Sequence, residues 1–261
     1  MNLPQRHPDT PHLETLHLDT AHGSRIAYVQ VPGESPGVVF LGGLRSDMTG
    51  IKAAYLQDWS QQTGRAFLRF DYSGHGASSG TFEDGHIGDW FADAAAVITQ
   101  LTDGPQVLVG SSVGGWISLL CARAMPDRVA GLVTVAAAPD FTEDVLQQSL
   151  SPAEQETLVR DGRIERPSEY SDEPDVITHS LIEEARDHLV LRRPLALPFP
   201  VRCLHGTADT SVPMSVALRL LEHADGDDLR LTLVKGADHR FSDRRCLTLL
   251  VDALEDVLSR I

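Results

Sequence analysis

Gln106-Val107-Leu108-Val109-Gly110-Ser111-Ser112-Val113-Gly114-Gly115-Trp116 is the stretch whose reading decides the fold. A short apolar run of strand type enters Gly110-Ser111-Ser112-Val113-Gly114, and a helical pattern from Trp116 to Met125 follows at once. Strand, G-x-S-x-G, helix is the context in which a serine is forced to the apex of a sharp turn. Its Oγ then stands free at the end of the strand, and the helix N-terminus points at the reacting carbon. Gly110 and Gly114 leave room for neighbouring backbone, Gly115 lets the helix pack close to the sheet, and Ser111, one residue off centre, is structural. Ser112 is therefore the candidate nucleophile; the plainer reading of the same residues is a turn without chemistry.

The chain around this elbow keeps one rhythm. Leu13–Leu18 and Arg25–Val31 alternate in polarity about Ala21-His22-Gly23-Ser24 and predict an antiparallel hairpin. Continuous apolar runs follow at Val38–Leu41, Ala66–Phe70, Gln106–Val109, Val129–Val135, Val201–Leu204 and Leu229–Val234. Helical patterns separate them at about 47–63, 87–102, 113–125, 214–224 and 245–258. Strand–helix alternation with apolar strands predicts an α/β fold, a mostly parallel sheet covered by helices on both faces. The whole of 1–261 reads as one domain. Only 141–198 breaks the rhythm, for it shows no strand pattern. Ser151-Pro152-Ala153-Glu154 is a capping box with Pro at the first helical position, and Ile177, Leu181, Ala185 and Leu189 are spaced as on a second helix. An all-helical insertion at this point predicts a lid, with the charges of 154–175 on its solvated face.

A serine hydroxyl needs a base that is itself oriented by an acid, in the chain order Ser, acid, His. Asp209, in His205-Gly206-Thr207-Ala208-Asp209, lies in the turn after Val201–Leu204. His239, in Gly236-Ala237-Asp238-His239-Arg240, follows Leu229–Val234. Asp238 is adjacent to the histidine and reads as a loop brace, Asp140 is the substitute acid, and His205 reads as a packed, satisfied histidine. His75 reads as a loop residue near the site. Oxyanion donors are expected from the N–H of Val113 and, in the glycine turn Gly42-Gly43-Leu44-Arg45, the N–H of Leu44. Arg45 is a candidate for a substrate carboxylate, or else pairs with Asp47 or solvent; Trp116 is a candidate substrate contact.

The composition bounds the partners. With 261 residues and a formal net charge of −15, the chain is ill suited to nucleic acid or an anionic membrane. No apolar run is long enough to span a bilayer. His7, His12, His17 and His22 do not share a face and no ligand cluster completes them, so no metal is expected, and no phosphate-binding glycine motif calls for a nucleotide cofactor. Cys121, Cys203 and Cys246 are odd in number and lie in apolar surroundings. Together with a start, residues 1–7, that shows neither signal nor transit pattern, they predict reduced thiols in a cytoplasmic protein.

With Asp71-Tyr72-Ser73-Gly74-His75-Gly76, a D-x-x-G-x-G turn, these motifs resemble the α/β-hydrolase superfamily over nearly the whole chain. Within it, several stretches are similar to the family of mycophenolic-acid acyl-glucuronide esterases and palmitoyl-protein thioesterases. They are Arg69–Gly74, Asp103–Ser112, Gly114-Gly115-Trp116, Pro167-Ser168-Glu169-Tyr170-Ser171 and Asp238-His239-Arg240. The resemblance implies Ser112, Asp209 and His239 as a triad acting without cofactor on an acyl ester or thioester, either a small molecule or an acylated protein. The loop Gly42–Asp47 is more charged than the resemblance suggests. That leaves a broad short-chain carboxylesterase open as to substrate; a ligand-binding module without turnover is the alternative of another class.

Overall fold

The apolar runs become strands in the computed structural model, which describes residues 13–167 and 174–261. In chain order the elements are β1 (Leu16–Asp19), β2 (Arg25–Val31), β3 (Glu34–Leu41), α1 (Ile51–Thr63), β4 (Arg65–Phe70), α2 (Ile87–Leu101), β5 (Gln106–Ser111), α3 (Val113–Ala124) and β6 (Val129–Val135). An insertion then carries α4 (Gln147–Ser149), α5 (Pro152–Asp161), β7 (Arg163–Arg166), β8 (Asp175–Thr178) and α6 (His179–Ala185). After it come β9 (Val201–Gly206), α7 (Met214–His223), β10 (Leu229–Val234) and α8 (Arg244–Leu258).

Eight strands form one sheet in the order β1-β2-β4-β3-β5-β6-β9-β10. β1 and β2 pair antiparallel with Leu16 opposite Tyr28, and β2 runs antiparallel to β4. The remaining neighbours are parallel. β5 shows why its sequence is apolar throughout. Val107 and Val109 pack on one face with Phe40, Leu56, Leu250 and Leu254. Leu108 packs on the other with Val39, Trp90, Ile98 and Leu120. Each such side chain taken out of water contributes about 1.5–3 kcal/mol, so both faces of a strand buried on both sides select aliphatics. The layer helices supply the matching stripes. On α8, Leu247, Leu250, Leu254 and Val257 are buried at helical spacing, and the Asp243 carboxylate caps the helix by accepting the Cys246 N–H at 2.8 Å.

The insertion corrects the all-helical expectation. The capping box at Ser151 forms as read: Ser151 N donates to Glu154 at 2.8 Å, and Glu154 N donates to the Ser151 hydroxyl at 3.3 Å. Arg166 adds a bidentate pair that, with the cap, holds the Glu154 carboxyl down at about 2. The second pattern, however, splits. Ile177 lies in β8, which pairs antiparallel with β7 so that Ile164 faces Ile177. Both pack into a small core with Leu158 and Ile182. Thr178 ends the strand and caps α6, its hydroxyl accepting the Leu181 N–H at 3.2 Å. Four-residue spacing across a strand–helix junction thus imitated one helix. The family match Ser168–Ser171 and the histidines His7 and His12 lie outside the described residues.

Asp140 ties the insertion down. It is fully buried and left-handed at φ 55°, just beyond β6. Its carboxylate accepts the N–H groups of Val190 and Leu191 at 2.7 and 3.0 Å and pairs with Arg192. Arg192 also pairs with Asp144, which pairs with Arg219 of α7 at 2.6 Å. Asp140→Asn leaves Arg192 without its buried partner and sets an amide against a backbone N–H. An unfolding free energy lower by about 3 kcal/mol in urea titration is expected.

Candidate active site

Ser112 sits at the junction of β5 and α3 with φ 54° and ψ −120°, a region L-residues avoid. The surroundings leave it no alternative. Ser112 N donates to Val135 O of β6 at 2.9 Å, while Ser112 O accepts Gly115 N at 2.9 Å and Ala138 N at 3.0 Å. The turn closes only because position 114 has no side chain. A Cβ on Gly114 would lie 2.2 Å from Leu41 O and 2.3 Å from Gly42 O. Such strain costs of order 1–3 kcal/mol and persists only where the surroundings over-determine it.

Ser112, His239 and Asp209 come together as their spacing suggests. Ser112 Oγ lies 3.1 Å from His239 Nε2, and His239 Nδ1 lies 2.8 Å from Asp209 Oδ2. A carboxylate facing Nδ1 makes that nitrogen the donor, so Nε2 is left to accept from the serine hydroxyl. Asp209 Oδ1 accepts the N–H groups of Ser211 at 2.9 Å and Val212 at 2.8 Å. Burial pushes its carboxyl pKa up, but the His239 hydrogen bond, the Val212 N–H and the nearby imidazoles outweigh that and hold it below the usual carboxylate value.

The rivals are placed elsewhere. Asp140 is spent on the insertion, and Asp238 braces the histidine loop by accepting Phe241 N at 3.0 Å. His205 is fully buried and donates from Nε2 to Val212 O at 3.0 Å. It is packed, yet not fully satisfied, because its buried Nδ1 has no partner.

On the other side of the serine, a Cβ on Gly43 would lie 3.3 Å from Ser112 Cβ, so this loop backbone runs against Ser112. Leu44 follows it, and Val113 is the first, buried residue of α3. The D-x-x-G-x-G turn buttresses the loop. Asp71 accepts Met48 N at 2.6 Å and Ala77 N at 2.8 Å, and a Cβ at Gly76 would lie 2.1 Å from that carboxylate.

Arg45 and Trp116 depart from expectation. Arg45 does not pair with Asp47, whose carboxylate instead accepts Thr49 N at 2.7 Å. Its guanidinium lies 4.1 Å over the Phe82 ring, with Glu83 at 3.4 Å and Asp175 of β8 at 3.7 Å. Trp116 is wholly buried and its indole N–H donates to His188 O at 3.0 Å, so it holds the end of the insertion rather than presenting a surface to substrate. The sequence reading missed Lys52 of α1, whose Nζ donates to Arg240 O at 2.6 Å and pins the histidine loop. Its pattern carries no signal, because a helical lysine is ordinarily a solvated one.

A mostly parallel sheet with a serine elbow, an acid after one late strand and a histidine after the next defines an α/β hydrolase. The chain belongs to the family described as serine aminopeptidase, S33, whose model matches residues 37–194. Palmitoyl-protein thioesterase ABHD10, mitochondrial, from Bos taurus is 37% identical over 237 residues, 90% of this chain and 77% of that protein. The Homo sapiens protein of that name is 36% identical over the same shares. A putative hydrolase from Agrobacterium vitis S4 superposes with a TM-score of 0.90 at 37% identity, covering 95% of this chain and 99% of that one. The chain is thus an enzyme that hydrolyses ester or thioester bonds. Among the described residues, no helix is long and apolar enough to cross a membrane.

Lys52 supplies a test of the loop anchor. Burial lowers its pKa to about 8. Between that value and the ordinary lysine value, about 10.4, the unfolded chain binds more protons than the folded one, so stability rises with pH there. Melting temperatures at pH 7.5 and 9.5 are expected to show the wild type gaining on Lys52→Met as pH rises.

Proposed function

We propose that the chain cleaves long-chain acyl thioesters through an acyl-enzyme on Ser112, and the observation that carries this is the unbroken relay from Ser112 Oγ through His239 to Asp209. Ser112 Oγ attacks the acyl carbon while His239 Nε2 takes the hydroxyl proton. The resulting tetrahedral oxyanion receives the N–H groups of Val113 and Leu44, each such donor contributing about 10²–10³ in rate. Collapse breaks the carbon–sulfur or carbon–oxygen bond, and His239 hands its proton to the departing thiol or alcohol. Water, deprotonated by the same nitrogen, then attacks the acyl-serine and releases the acid. Asp209 keeps the Nδ1–H tautomer in place and stabilises the imidazolium that forms at each step.

The preference for a long-chain thioester over other esters is supported by the similarity to the bovine and human palmitoyl-protein thioesterases. The insertion at 141–198 would act as the lid over that chain. Arg45, already matched by Glu83, Asp175 and the Phe82 face, offers little to a substrate carboxylate, which disfavours the acyl-glucuronide reading. The free, buried thiols of Cys121, Cys203 and Cys246 support a reducing compartment such as the cytoplasm.

Hydrolysis of a palmitoyl thioester compared with a short p-nitrophenyl ester tests the proposal. Ser112→Ala is expected to lower turnover of both by about 10³-fold or more while the far-ultraviolet circular dichroism is unchanged. A higher kcat/KM for the short ester would sink the long-chain reading and leave a general carboxylesterase.

A further inference from the structure

His75 has chemistry that the relay from Ser112 to Asp209 does not use. It is buried, 5% exposed, and enclosed edge-on by the rings of Tyr72, Phe82 and Trp90 at 5.7, 5.2 and 5.2 Å. Both ring nitrogens are engaged, and their partners fix the tautomer without ambiguity. Nδ1 lies 3.1 Å from the Ser73 carbonyl and so carries the proton. Nε2 lies 3.2 Å from Arg45 N and so accepts that N–H. Ser73 O is itself held by the Trp90 indole N–H at 3.2 Å, so the imidazole is aimed as well as buried. Burial also favours the neutral ring, the only form able to accept at Nε2.

The acceptor matters because of where Arg45 stands. Its φ is 54°, and the peptide it shares with Leu44 is the one after the Leu44 N–H. A non-glycine residue in this region needs an external hold. Two holds are present: His75 takes the backbone N–H, and Phe82 takes the guanidinium at 4.1 Å. We propose that His75 is a positioning residue for the oxyanion site, holding the Leu44–Arg45 peptide so that the Leu44 N–H faces the oxygen of a tetrahedral intermediate on Ser112. This rests on the acyl-enzyme reading above.

Two substitutions separate positioning from packing. In His75→Gln the amide oxygen reaches the place of Nε2 and can accept the Arg45 N–H, while the bond to Ser73 O is lost. In His75→Asn the amide N–H can keep the Ser73 bond, while the Arg45 N–H loses its acceptor. Full-length variants are assayed on a p-nitrophenyl ester, with Ser112→Ala as blank, and against a trifluoromethyl ketone, whose adduct with Ser112 carries an oxyanion. His75→Asn is expected to lose about tenfold to a hundredfold in kcat with KM within about twofold, and to lose ketone affinity in parallel. His75→Gln is expected to stay within about threefold of wild type in both readouts. Equal behaviour of the two variants, whether both active or both impaired with lowered melting temperatures, overturns the positioning role. Turnover surviving in Ser112→Ala overturns the acyl-enzyme reading itself, and the role of His75 with it.

Discussion

The site depends on one forced reversal of the backbone, at Ser112. β5 is buried on every residue and pairs with β3 on one side and β6 on the other, so its end cannot shift. α3 must start within one residue and pack back on the sheet. That requirement places Ser112 at φ 54°, fixed by Val135 O below it and by Gly115 N and Ala138 N above. The cost is local strain. What offsets it is the core behind: Leu108 on one face, Val107 and Val109 on the other, and Trp116, Ile117 and Leu120 of the helix all buried. A serine exposed on a flexible loop would lose orientation each time the loop moved; here moving it means unpacking the sheet.

The same device recurs around the rim. Among the described residues, the left-handed positions occupied by something other than glycine are Arg45, Ser112, Ala136, Asp140 and Phe241. Each follows the C-terminal end of a parallel strand or, for Phe241, lies in the loop that presents His239. Every one has a partner that fixes it: His75 for Arg45, Val135 O for Ser112, Leu204 O for Ala136 N at 2.8 Å, and Asp238 for Phe241. Asp140 differs in that its own carboxylate does the fixing, on the insertion. Strain concentrated at one edge of the sheet, with hydrogen bonds assigned to each strained residue, is how a parallel sheet converges loops from several strands onto one point.

Much of this could be read from the residues. Elbow, acid and histidine were legible because each is a short pattern tied to a strand end, and the strands declare themselves by being apolar on both faces. The misreadings share a cause as well. Ile177 to Leu189 imitates a helix because burial against one small core can be shared by a strand and the helix after it, so spacing alone does not find the junction at Thr178. Trp116, a candidate substrate contact by sequence, is instead wholly buried, because one turn along α3 from Ser112 points into the core. The roles of Lys52, His75 and Phe82 were illegible for another reason, although His75 reads as a loop residue near the site. Their roles are contacts across long separations in sequence, such as Lys52 to Arg240 and His75 to Arg45, and no local pattern encodes them.

Two imidazoles approach one carboxylate oxygen, and the backbone decides which of them has it. His239 Nδ1 is 2.8 Å from Asp209 Oδ2 and His205 Nε2 is 3.7 Å from it. Were His205 to swing onto that oxygen, His239 would lose the charge that orients it. The contest is settled by Val212, whose carbonyl takes the His205 N–H at 3.0 Å and whose own N–H binds Asp209 Oδ1 at 2.8 Å. Asp209, Val212 and His205 thereby close a ring in which each donor already has an acceptor. Burial keeps the His205 pKa below its ordinary value, so the ring adds no second cation beside the carboxylate. The buried Nδ1 of His205 left without a partner is the cost of that arrangement. A hydrogen-bond acceptor placed there would favour a proton on Nδ1 and so the imidazolium, and a charged His205 would compete with His239 for Asp209 Oδ2.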